Sequence, residues 1–373
     1  MSHTASASSL ERLLIFNLAT DVDHPILGFT TDWLRALASL VDEIDVITMW
    51  AGRLELPSNV HVHSVGKERG RSEAMRAFEF YRVLRRLLAT HRYEACFAHM
   101  MPLFAAMGAP LLRRRRIPTT LWYTHSATPL SLRIAERLVD RVVTAHVETF
   151  KLPSSKVRAI GHAIDLDVFR PVLFNRPSDQ PFTVIAVGRV APIKQVDVMI
   201  EALSELATAV PASGVRLRLL GPIESADKDY ASALQARARE LSVHEFVEFA
   251  GPVRRSDLAF EYSTADVAVN LSPSGLFDKA ALEAMACGIP LITSNRALGA
   301  EVGCADERLA IDEPAPALLA SALKYVHGMT TLERRDVGTT LRAKMFDHSL
   351  ATLAERLLLA MPRRVAAESC TGS

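Results

Sequence analysis

Short apolar runs recur along the chain, and amphipathic stretches of helical period lie between them. Residues 12–18 read as a first buried strand. A helix follows from about Thr31 to Leu40, with Trp33, Leu34, Leu37 and Leu40 on one face. Residues 44–50 read as a second strand, and residues 60–65 alternate like a half-buried third. Residues 72–92 form a basic amphipathic helix. Strands at 95–100, 119–125 and 142–146 then alternate with helices, one ending in Arg113 to Arg116 and one spanning 131–140. Strand-helix alternation at this spacing predicts a doubly wound parallel α/β domain over residues 1–170.

The same rhythm resumes further on. Apolar runs at 182–188, 215–221, 247–251, 266–271 and 290–294 predict a second sheet with helices between its strands. Beyond Ile311 the pattern is helical. The last helix, about residues 349–361, puts Leu350, Leu353, Leu357 and Leu358 on one side. The expected organisation is a domain over 1–170, a second over 171–345, and a terminal segment, 346–373.

A chain of 373 residues has room for two cores. With 49% hydrophobic and 23% charged residues it is an ordinary globular sequence. The net charge of +1 gives no argument for a nucleic-acid partner, and none is expected. The distribution is less even: residues 67–116 hold twelve Lys/Arg against four Glu. The four cysteines are scattered, without metal-ligand spacing or a disulfide framework. The first residues lack the apolar segment of a signal peptide, and no run approaches the ~20 residues of a membrane span. The expected location is the cytoplasm.

Residues 267–295 read as strand, loop, helix, glycine stop and strand. Such a helix start leaves backbone N–H groups free at the carboxyl edge of a sheet, where an anion binds well. Glu283, early in this helix, can accept two hydroxyls of a ribose. Arg189 and Lys194 flank the turn after the strand at 182–188, where two cations can converge on a diphosphate. Only Gly28 is available between the first two strands, so no G-x-G-x-x-G dinucleotide fingerprint is present. Gly28 either admits a substrate close to the backbone or shapes the turn. His61 and His63 share a strand face without a third ligand and read as exposed strand histidines. The Asp21/Asp23 and Asp165/Asp167 pairs imply no metal site.

Three stretches resemble the retaining glycosyltransferases of family 4: LEAMACGIPLITS, VIAVGRVAPIKQVDVMIEAL (184–203) and IGHAIDLDVFRP (160–171). The resemblance covers residues 160–300 most closely. It implies the GT-B fold, two Rossmann-like doubly wound domains facing each other across a cleft, with the last helix crossing back to the first domain. It implies transfer of a sugar from a nucleotide diphosphate sugar to an acceptor hydroxyl, with retention, without metal or other cofactor. Arg189 and Lys194 would stabilise the leaving diphosphate. Glu283, Gly188 and Val253 would lie on the donor, and His125 would face the donor sugar and acceptor. His99 is the second candidate for that role, and with Gly28 it falls on the acceptor side. His162, Asp165 and Phe169 would hold the linker.

One departure stands out. The family carries a glutamate eight positions before Glu283, where this chain has Gly275, followed by Leu276, Phe277, Asp278 and Lys279. Asp278 and Lys279 are either an exposed pair or line the sugar pocket in its place. A nucleotide-sugar-binding protein without transferase activity and a nucleotide-sugar epimerase are the alternatives. Relatives that build cell-surface polysaccharides or glycolipids suggest a sugar or lipid-linked sugar acceptor. They also suggest peripheral attachment of the basic stretch to an anionic inner membrane surface.

Overall fold

The computed structural model describes residues 10–24, 27–125, 127–173, 180–209, 214–273 and 278–364. The chain forms two compact units: residues 1–161 together with 350–373, and residues 162–349.

In the first unit the chain runs β1 (Leu10–Thr20), α1 (Phe29–Ala38), β2 (Val41–Ala51), β3 (Val60–Ser64), α2 (Glu73–Thr90), β4 (Ala95–His99), α3 (Pro102–Arg114), β5 (Thr119–Trp122), α4 (Leu130–Leu138), β6 (Arg141–Thr144) and β7 (Val157–Ala159). The seven strands are parallel in the order β3-β2-β1-β4-β5-β6-β7. Strands buried on both faces read as unbroken apolar runs, as β4 (ACFAH) does. One face packs against α2, α3 and α4 through Phe80, Leu84, Phe104, Leu112 and Leu132. The strand β7 was not evident in the sequence, because VRA is too short and too exposed to carry a pattern. The two strand histidines are not simply solvent-facing: His61 pairs with Glu43 at 2.7 Å, and the half-buried His63 with Asp45 at 3.0 Å.

The second unit runs β8 (Phe182–Val187), α5 (Val196–Ala209), β9 (Val215–Leu220), α6 (Lys228–Glu240), β10 (Val247–Gly251), α7 (Arg255–Ser263), β11 (Val267–Asn270), α8 (Lys279–Ala286), β12 (Leu291–Thr293), α9 (Arg296–Ala305), α10 (Pro316–Gly328) and α11 (Thr331–Met345). Its parallel sheet has the order β10-β9-β8-β11-β12. Strand order therefore reverses between β8 and β11, and a crevice opens at such a point outside the carboxyl ends of the strands. A last helix, α12 (Leu350–Ala360), belongs to the first unit and packs on α1 and β6.

The start and end of the second unit lie side by side. The Ile164 amide donates to the His348 carbonyl at 2.8 Å, and Ile164 bridges Ser349 in parallel. His162 and Asp165 serve the same turn: His162 Nδ1 accepts the Ala163 amide, and Asp165 Oδ1 accepts the amides of Asp167 and Val168. Phe169 is fully buried under the Arg255 guanidinium.

Candidate functional site

In the second unit the candidate site is built at the switch point between β8 and β11. Gly188 follows β8 with φ 135°, and Gly221 follows β9 with φ 152°. Both angles favour glycine. The Gly188 amide donates to Leu220, and the Gly221 amide to Gly251, both at 2.8 Å. A Cβ on Gly188 would lie 3.2 Å from Lys194 Cε, so the missing side chain leaves room for that lysine. After Gly188 the chain makes a single tight turn over Pro192–Lys194, which Gln195 closes at φ 54°.

Across the crevice, α8 begins with Asp278 as its N-cap, its Oδ1 accepting the Ala280 amide at 3.2 Å. It ends in the Schellman pattern: Gly288, at φ 73°, donates to Met285, and Ile289 to Ala284. Arg342 of α11 donates to the carbonyls of Ala286 and Phe169, satisfying groups that a helix end leaves free.

Lys194 turns into the crevice. Its Nζ forms an ion pair with Asp278 Oδ2 and donates to Ser272 Oγ at 3.2 Å. The same Asp278 oxygen accepts Asn270 Nδ2 at 2.8 Å and Ser272 Oγ at 2.6 Å. Burial alone would raise the Asp278 pKa. The charge of Lys194 and the hydrogen bonds from Lys194, Ser272 and Asn270 hold it below the usual carboxylate range instead. Arg189 goes elsewhere: it bonds Glu224 at 2.7 Å, lies 3.5 Å from Asp227 and is 44% exposed. The two cations expected to converge thus have different partners.

Glu283 is not in the first turn of α8 but in the second, half-buried. Burial pushes its carboxyl up to about 7, against the charges of Lys279 and Arg255 nearby; Asp278 adds to the rise. The buried Tyr262 hydroxyl donates to the Ala280 carbonyl at 3.0 Å and reaches Glu283 Oε2 at 3.4 Å. Tyr262 gave no signal in the sequence, since an aromatic in an amphipathic helix reads as core. Lys279 is the first residue of α8 and half-buried, and Val253 packs partly buried against the core. Gly275, Leu276 and Phe277 lie outside the described residues.

In the first unit the corresponding edge holds Asn17, His99 and Gly28. The strand order reverses between β1 and β4. His99, 3% exposed at the end of β4, brings Nδ1 to 3.3 Å from Asn17 Oδ1 and packs against Trp33. Gly28 caps α1 at an ordinary φ of −54°. A Cβ there would meet the Val22 and His24 carbonyls at 2.9 and 3.0 Å, so the close approach is by the turn itself. His125, exposed, follows β5, and its Nδ1 accepts the Ala127 amide at 3.0 Å. Among the described residues no group of three His, Cys, Asp or Glu side chains could hold a metal ion.

Two Rossmann-like units, one with a cation and a capped helix start at its switch point, define a two-unit parallel α/β architecture, and the fold is GT-B. It is shared with the Anabaena protein Alr3699/HepE in complex with UDP-glucose, at TM-score 0.68 and 16% identity, covering 93% of this chain and 98% of that one. Sucrose-phosphate synthase from Thermosynechococcus elongatus is similar too, at TM-score 0.69 and 17% identity, covering 94% and 98%. Residues 181–327 match the family described as glycosyl transferases group 1. That match falls within the second unit. D-inositol 3-phosphate glycosyltransferase 2 of Catenulispora acidiphila is 31% identical over 186 residues, 47% of this chain and 43% of that one. The D-inositol 3-phosphate glycosyltransferase of Mycobacteroides abscessus is 30% identical over 182 residues, 47% and 38%. The match thus spans less than half the length of these relatives.

Proposed function

We propose that the protein is a retaining glycosyltransferase that moves a sugar from a nucleotide diphosphate sugar to an acceptor hydroxyl. The observation that carries this reading is the meeting of Lys194 and the start of α8 at the switch point, with Glu283 one turn further along the helix. Lys194 neutralises charge on the departing diphosphate, with Arg189 at the rim of the same turn. Glu283 accepts the ribose hydroxyls. Chemistry here consists mostly of positioning and of electrostatic support for the leaving group. His125 and His99 act on the sugar and acceptor side, His125 by hydrogen-bonding a sugar hydroxyl or by supporting positive charge at the anomeric carbon.

The relatives suggest what to try first: uridine diphosphate sugars as donors, and cyclitol or sugar phosphates beside lipid-linked sugars as acceptors. The reading includes no metal and no other cofactor. Incubation with donor and an acceptor panel should release nucleoside diphosphate and give a product whose anomeric configuration is that of the donor. Activity should survive EDTA. An inverted product, or no transfer with tight donor binding, would replace the reading by a non-transferring nucleotide-sugar protein.

The first unit also suggests a surface for peripheral membrane attachment. No helix among the described residues is long and apolar enough to cross a membrane. Met75, Phe78, Leu103, Leu130 and Ile134 are exposed large apolar residues. Met75, Phe78, Leu103 and Leu130 lie in the amino-terminal halves of α2, α3 and α4, which in a parallel α/β unit stand at the carboxyl edge of the sheet, and Ile134 is at the middle of α4. Arg133, exposed, lies beside Leu130 and Ile134 on α4. The Arg113–Arg116 quartet falls at the opposite edge, and Arg113 is spent on the Leu138 carbonyl at 2.8 Å.

A further inference from the structure

The crevice between β8 and β11 already contains an anion, supplied by the chain itself. Four donors meet on the Asp278 carboxylate: the Ala280 amide at the start of α8, Lys194 Nζ, Ser272 Oγ and Asn270 Nδ2. A backbone N–H at a helix start, an ammonium, a hydroxyl and an amide are the set a terminal phosphate would use. Both charged side chains are largely withdrawn from solvent, Asp278 at 12% and Lys194 at 23% exposure. Asn270, 5% exposed, has its Oδ1 without a hydrogen-bond partner among the described residues. That oxygen is an acceptor, which a hydroxyl of the ligand could satisfy and the phosphate itself could not.

We propose that Asp278 occupies, in the free protein, the place of the donor's distal phosphate, and so limits how tightly the chain holds a nucleoside diphosphate. This rests on the reading of Lys194 as the diphosphate cation. A diphosphate entering the crevice meets a lysine whose charge is already cancelled, and a carboxylate that repels it. The carboxylate stays ionised at neutral pH, so protonation does not clear the way. Asp278 must turn aside, giving up its N-cap bond and its ion pair, before phosphate oxygens take the same donors. The acid at this position is thus an internal competitor, and substrate affinity is set by the difference between two anions for one cradle.

Calorimetric titration of uridine, guanosine and adenosine diphosphates, with the bare nucleosides beside them, tests this on the full chain. Asp278→Asn and Asp278→Ser keep a side chain able to cap α8. Each should bind the accepted diphosphate about ten-fold more tightly than the wild type, the order of gain from removing one like charge. Nucleoside affinity should not change. Cooperative melting shows which variants are folded, and either one suffices. A folded variant that binds the diphosphate no more tightly overturns the proposal while leaving the nucleotide site standing. The wild type supplies a second reading: its diphosphate should bind no more than about ten-fold tighter than the nucleoside, and a thousand-fold difference overturns the proposal without any variant. If no nucleotide binds any of the proteins, the nucleotide reading falls and the proposal with it.

Discussion

A Cβ built on Gly221 would lie 2.0 Å from the carbonyl oxygen of Gly188. The ends of β8 and β9 can approach this closely only because residue 221 has no side chain. The turn that carries Lys194 starts from that crossing. Gly221→Ala adds a clash to a left-handed φ of 152° and should destabilise the second unit by roughly 2–4 kcal/mol. Urea denaturation measures it. A loss under ~0.5 kcal/mol would mean that the loops simply move apart.

Glu283 has a folded pKa near 7, above the ordinary 4.5. The folded state therefore holds the proton more tightly than the unfolded chain. This contribution to stability is fully present at low pH, declines above about 4.5 and is gone above about 7. Glu283→Gln should match the wild type in stability at pH 5 and melt higher at pH 8, by roughly 2–4 °C for each kcal/mol relieved. The same change should raise the donor KM several-fold at pH 8, because a ribose-binding carboxylate is lost. Equal melting shifts at both pH values would show that the buried carboxylate carries no pH-linked strain.

Lys194→Ala should weaken nucleoside diphosphate binding several-fold more than nucleoside binding, since the ammonium now paired with Asp278 would meet the phosphates and not the nucleoside. Arg189→Ala should show the same selectivity with a smaller loss, since Arg189 must first leave Glu224 and Asp227. Calorimetry that finds equal losses for diphosphate and nucleoside removes both residues from the phosphate site.

His125→Ala should cut turnover by about a hundred-fold or more while nucleotide affinity stays near that of the wild type. The side chain is exposed, so stability should hardly change. Unaffected turnover would shift attention to His99.

Sedimentation with vesicles tests the membrane surface. Binding should need anionic lipid and weaken as salt rises. Phe78→Ser together with Leu130→Ser should reduce it more than Arg114→Ser with Arg115→Ser, because the apolar rim and the arginine run lie at opposite edges of the sheet. Protein left in the supernatant at low salt would make a soluble acceptor the working assumption.

Elements whose residues are buried on both sides were legible in the sequence. FTVIAV and VAVN announce central strands, and the helix of Ala281, Leu282, Ala284 and Met285 announces its buried face. What remained hidden depends on contacts between segments distant in sequence. Nothing near Arg189 shows that it will face Glu224, or near Lys194 that its partner is 84 residues on. Tyr262 and Arg342 were missed for the same reason. Each acts on α8 from another helix, through hydrogen bonds to a carbonyl or carboxylate, and neither leaves a periodic trace.

The bridge between Ile164 and Ser349 makes the second unit a guest within the chain of the first. Its two ends leave it together. During synthesis, every residue of the guest exists before the first residue of α12 is made. The host must wait for that helix with part of α1 and β6 uncovered. Order of assembly is thus written into connectivity: the second unit is the one the ribosome completes first.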